Sequence, residues 1–106
     1  LIPWIVVMAE EAKRVETTRA EHLRGIGENL AEAKDWTEAI GAFTKSIEAH
    51  AEAKTYLFRG CMRMNQRDYS AAIKDCEAAL KLEPANEAAR NALDTARCYA
   101  QVSTLR

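Results

Sequence analysis

Apolar residues in this chain recur at intervals of three and four, the period of amphipathic helices, and no stretch carries a strand signal. Pro3 suits a first helical position, where its missing N–H is not needed. Trp4, Met8, Ala12 and Val15 follow on one stripe and predict a helix over about 3–16. Thr18-x-x-Glu21 has the form of a capping box, so a fresh helix is expected over about 19–33, with Leu23, Ile26, Leu30 and Ala33 on one face. One long helix running through Thr17 and Thr18 is the weaker alternative. Gly25 and Gly27 each weaken that segment by up to ~1 kcal/mol relative to alanine, which implies a close approach by a neighbour.

Asp35-x-x-Glu38 opens the next helix, about 36–49, with Ala39, Ile40, Phe43 and Ile47 inward. A helix over about 53–66 carries Tyr56, Leu57, Gly60, Cys61 and Met64. Asp68 caps another over about 69–82, with Ala72, Ile73, Cys76, Ala79 and Leu80 inward. It ends at Leu82-Glu83-Pro84, because a residue before proline avoids the α region. Asn86 caps a last helix, about 87–102, dominated by Glu87, Arg90, Asn91, Asp94 and Arg97. Such a polar end helix closes a stack without exposing its core.

The pattern also repeats. Asp35-Trp36-x-x-Ala39-Ile40 returns 33 residues later as Asp68-Tyr69-x-x-Ala72-Ile73. A glycine precedes each aspartate by eight residues (Gly27, Gly60), and a small residue follows each alanine by seven (Ser46, Ala79). A fixed period of this length marks stacked helical hairpins, in which function resides on a groove and not at a catalytic point.

Composition narrows the class. The 106 residues form one domain or a piece of a longer protein, and the absence of an initial Met favours the piece. A net charge of −1 gives no electrostatic reason to expect nucleic acid or an anionic membrane as partner. Leu1 to Met8 is nearly all apolar but far short of the roughly 18 residues that span a bilayer, and it lacks the features of a signal peptide. Cys61, Cys76 and Cys98 are odd in number and not closely paired, which suggests reduced thiols and a cytoplasmic location. Enzyme chemistry has no support. His22 and His50 lie on different helices without a nucleophile signature, and no CxxC or HxxxH spacing would hold zinc. No cofactor or metal is expected, and Cys76 reads as a small core residue.

Residues 53–86 resemble one full tetratricopeptide repeat: Tyr56, Gly60, Tyr69, Ala72, Ala79 and Pro84 fill the six positions that define the family. Residues 20–52 resemble a poorer copy, with Leu23, Ser46 and Ala51 replacing the aromatic, the second alanine and the proline, and one residue fewer in the closing turn. The resemblance implies an all-α right-handed superhelix of two repeats flanked by helices at 1–19 and 87–106. It also implies a non-catalytic module that binds a peptide or helix of another protein, as an adaptor, co-chaperone or assembly factor.

In that family the first helix of each repeat lines a concave groove. The corresponding residues here are Glu21, Arg24, Gly25, Glu28, Ala31 and Glu32, then Lys54, Leu57, Phe58, Cys61, Met64 and Asn65. One half is thus polar and the other apolar, although Leu57 and Cys61 read equally well as core. Some members clamp a chaperone's terminal carboxylate with Lys at position 5 and Asn at 9 of one repeat, Asn at 6 of the next, and Lys at 2 and Arg at 6 of a third. Arg24 and Lys54 are compatible cations, but Glu28 opposes a carboxylate and Phe58 replaces the Asn, so the clamp is incomplete. Arg59, Arg63 and Arg67 form a basic run that reads chiefly as a solvated face paired with nearby acids, and secondarily as a receptor for an acidic segment. Ile2, Trp4, Ile5, Val6, Val7 and Met8 would be an aggregation hazard if bare. That helix either caps the first repeat or meets a second chain, in which case Trp4, Ile5 and Met8 would mediate a homodimer.

Overall fold

The computed structural model describes residues 3–104, all-helical apart from short turns: α1 Pro3–Glu32, α2 Trp36–Ala49, α3 Ala53–Asn65, α4 Tyr69–Leu82 and α5 Glu87–Thr104. α1 with α2 and α3 with α4 form antiparallel hairpins, α2 packs on α3, and α5 covers α4 and part of α3. The helix boundaries fall within two residues of expectation everywhere except in α1.

There the expected break at Thr17–Thr18 is absent. Thr17 Oγ1 donates to the Lys13 carbonyl one turn back (2.9 Å), a bond made inside a helix, so it does not serve as a cap. The resulting 30-residue helix is about 45 Å long. Its hairpin partner α2 has 14 residues, so the N-terminal half of α1 overhangs the stack. This overhang explains extents of 62 × 29 × 18 Å and a radius of gyration of 16.2 Å, against about 13 Å for a compact chain of this size.

Both hairpins turn in the same way. Asp35 N–H donates to Leu30 O and Lys34 N–H to Ala31 O; Asp68 N–H donates to Arg63 O and Arg67 N–H to Met64 O. These paired bonds, with Lys34 and Arg67 both at φ 64°, are Schellman endings. The aspartate that completes each ending also begins the next helix. Asp68 Oδ1 accepts from Ala71 N–H at 3.3 Å, and Asn86 Oδ1 from Ala89 N–H at 3.0 Å. Asp35 occupies the same place, but its side chain makes no cap bond, contrary to the capping pattern in the sequence.

The core consists mostly of alanine: Ala20, Ala39, Ala42, Ala53, Ala72, Ala79, Ala89 and Ala96 are buried, with Phe43, Cys76 and Leu93. Small side chains let the helices approach, as the repeat pattern implies. A Cβ on Gly27 would lie 2.6 Å from the Phe43 ring; one on Gly60 would lie 3.2 Å from Asp75 Cβ and 3.5 Å from Cys76 Sγ. The close approach expected at Gly25 is not found, since nothing lies within 4 Å of the same construction there. Ile26 and Ala33, expected inward, are exposed; the buried face of α1 is instead Ala20 and Gly27, with Leu23 and Leu30 half-buried.

Candidate interaction surface

The first helices of the two hairpins, α1 and α3, lie on the same side of the stack as α5. An ion pair fixes how α1 presents itself: Arg24 Nη1 reaches Glu52 Oε2 at 3.2 Å, at the N-cap of α3. That flank of α1 therefore faces α3, and Arg24 on it is already engaged. Glu28 is exposed beside it, as is Lys54 at the start of α3.

Further along α3 the surface becomes apolar. Leu57 packs against the cluster of Ala53, Ala79 and Ala89, and so contributes to the core. The Phe58 ring stacks on buried Phe43 with centroids 5.7 Å apart, leaving it half-buried. Cys61, Met64 and Asn65 line a cleft of about 480 Å³ together with Arg67, Tyr69 and Tyr99. The two tyrosine rings stack at 5.5 Å and 14° and form the wall on the α5 side. Sequence reasoning missed Tyr69 and Tyr99. The signal was available: Tyr99 lies one 34-residue repeat beyond Asn65, at the corresponding groove position of α5.

The basic run on α3 has a different destination. Arg59 Nε and Nη2 donate to Asp75 Oδ2 and Oδ1 (3.0 and 2.6 Å), and Arg63 Nη1 donates to Oδ2 (2.9 Å). Asp75 is 3% exposed, a charge-assisted pair taken out of water. Arg59 Nη1 also donates to Thr44 Oγ1 on α2 (3.3 Å), so one guanidinium joins both hairpins. Only Arg67 of the three reaches the cleft.

The two thiols of the second hairpin, Cys61 and Cys76, are poor nucleophiles at neutral pH. Burial raises the pKa of Cys61, and it raises that of Cys76 to about 11, with the nearby Cys61, Asp75 and Glu77 adding to the effect. Among the described residues, no cluster of His, Cys, Asp and Glu could hold a metal ion, and no helix is long and apolar enough to cross a membrane.

Trp4, Ile5 and Met8 lie far from this surface. Every residue from 3 to 16 is exposed, with Trp4 61%, Met8 60% and Val15 63% accessible; Ile2 lies outside the described residues. Of the two roles considered for this segment, packing on the first repeat as a cap is not what is observed.

The tetratricopeptide-repeat family pattern matches residues 53–86. Residues 53–86 are thus similar to a tetratricopeptide repeat, and the chain as a whole shares the fold of tetratricopeptide-repeat domains. It superposes on the Arabidopsis OM64 TPR domain with TM-score 0.75 over 77% of this chain and 69% of that one, at 24% identity, a likeness of fold. It superposes on the second TPR of Spaghetti (RPAP3), bound to the HSP90 peptide SRMEEVD, with TM-score 0.82 over 86% and 84% of the two chains, at 25% identity. Among curated proteins it is similar to sperm-associated antigen 1 of rat, 34% identical over 67 residues, and of mouse, 33% identical over the same length. The chain spans only 8% and 7% of those proteins' lengths, although the match covers 63% of this chain.

Proposed function

We propose that this domain is a non-catalytic adaptor module that binds a peptide or helix of a partner protein in the groove formed by α1, α3 and α5. In this reading, 20–52 and 53–86 are the two repeats, and 1–19 and 87–106 flank them. The observation that carries it is the cleft between α3 and α5, a tyrosine-lined recess of mixed polar and apolar surface, on the face that runs across successive repeats. The peptide-bound relative supports it, since its partner is a short segment of another protein. Cys61, Met64 and Asn65 form the recess, Phe58 borders it, and Arg24, Glu28 and Lys54 form the polar approach.

Peptide display on the intact domain tests this reading. Enriched peptides should bind with micromolar affinity, and Met64→Asp should weaken them by at least about tenfold, ~1.4 kcal/mol. Glu38→Ala, on the outer helix α2, should leave them unchanged. Failure to enrich any peptide, or binding indifferent to Met64→Asp, would refute the groove as the site.

A second reading has its own observation. Ile5, Met8, Ala12 and Val15 are spaced three, four and three on the exposed overhang, the seam of a paired helix. We infer that this seam, with Trp4, joins two copies of the chain. Light scattering over a dilution series tests it, and a monomer at micromolar concentration would remove it.

A further inference from the structure

We propose that the groove selects a cationic segment carrying one apolar or aromatic anchor, the opposite charge preference from an acidic tail. This inference rests on the groove being the binding site and concerns what the groove accepts.

Three carboxylates carry the argument. The Arg24–Glu52 pair identifies the flank of α1 that looks toward α3. At about 100° per residue, Glu21, Glu28 and Glu32 stand roughly 40–80° further round that same flank, spaced two turns and one turn apart. They form a row about 17 Å long. All three are exposed, and none has an ion-pair partner among the described residues. The one cation in their midst, Arg24, is held by Glu52.

Nothing across the groove reverses this sign. Lys54 is a single exposed cation beside Glu52. The positions of α5 that would carry Lys and Arg in a carboxylate clamp are Ala88 and Ala92. Arg59 and Arg63, the strongest positive pair on α3, are both held by Asp75, whose single carboxylate offsets one of their two charges. Arg67 stands at the cleft beside Tyr69 and Tyr99 and leaves the α1 side acidic. A terminal carboxylate arriving at α1 would meet Glu28, and Arg24, one turn away, is already held by Glu52. Lysines or arginines of a segment would instead find three unpaired carboxylates, while the segment's apolar residue fills the recess formed by Cys61, Met64 and the tyrosine pair. Complementarity of this kind sets selectivity and encounter rate more than total affinity, and it weakens with salt.

The test uses two fluorescein-labelled peptides with the same central Trp-Leu anchor, one flanked by lysines and one by glutamates, titrated into the intact domain by fluorescence anisotropy. The lysine peptide should bind at least about tenfold tighter, and the margin should shrink at high salt. The triple variant Glu21→Lys, Glu28→Lys, Glu32→Lys should invert the order, and Met64→Asp should weaken the lysine peptide. Equal or tighter binding of the glutamate peptide, still lost with Met64→Asp, overturns the charge preference and leaves the groove intact as a site. Lysine-peptide binding that survives Met64→Asp places the contact outside the groove and overturns both. Absence of binding by either peptide overturns the charge preference alone, because peptide display tests the groove independently.

Discussion

Lys34 and Arg67 show how strictly the repeat imposes its turns. Both stand at φ 64°, where an L side chain crowds the following carbonyl at a cost of about 1–2 kcal/mol and glycine is the usual occupant. They are held there because the two Schellman bonds and the following aspartate leave one residue to reverse the chain. Removing the side chain should relieve that strain. Lys34→Gly and Arg67→Gly should each raise the stability of the domain, by about 0.5–1 kcal/mol after allowing for glycine's greater freedom in the unfolded chain. Urea denaturation followed by circular dichroism measures this; a loss of stability in both variants would mean that the side chains make favourable contacts outweighing the strain. The same scale shows why one glycine was read correctly and another was not. Gly27 faces a ring and Gly25 faces open space, yet the two stand two residues apart with the same sequence signature.

Hairpin pairing was legible wherever it depends on small residues at fixed offsets, because an alanine core leaves few other ways for helices to nest. The long α1 was not, because a threonine pair reads the same whether its hydroxyl caps a new helix or bonds back to the preceding turn, as Thr17 does. The lining of the cleft was half legible: the places of Cys61, Met64 and Asn65 follow from position in the repeat, whereas Tyr99 lies on a helix whose charged residues make it read as a lid. The Arg59–Asp75–Arg63 network was hidden, since its members meet across a hairpin and no local spacing displays them. In the first hairpin, one period earlier, Ile26 and Ala42 hold the places of Arg59 and Asp75. Asp75→Ala should therefore destabilise strongly, by about 3–5 kcal/mol, because two arginines lose their partner in a partly dry site. Adding Arg59→Ile recreates the first hairpin's pair and should recover part of that loss. A double variant as unstable as the sum of its two single variants would show that the ion pair carries no coupling.

At the scale of the whole molecule, the stack and the overhang are mechanically separate. α1 buries Ala20 and Gly27 but no residue between 3 and 16, so the first ten residues or so of this helix add nothing to the core. Deleting residues 1–12 should leave the melting temperature of the monomer within about 2 °C of the parent, since an exposed helical extension contributes only a few tenths of a kcal/mol. It should also remove Trp4, Ile5 and Met8 and with them any self-association. The variants divide the two roles cleanly. Trp4→Asp alone should dissociate a dimer while leaving peptide binding in the groove untouched, and Met64→Asp should do the reverse. A large fall in melting temperature at a concentration where the parent is monomeric would mean that the overhang folds back on the repeats in solution. A dimer that persists after the deletion would place the self-contact on the stack itself, where half-buried Leu23 and Leu30 and exposed Ile26 form the uncovered end of the first hairpin.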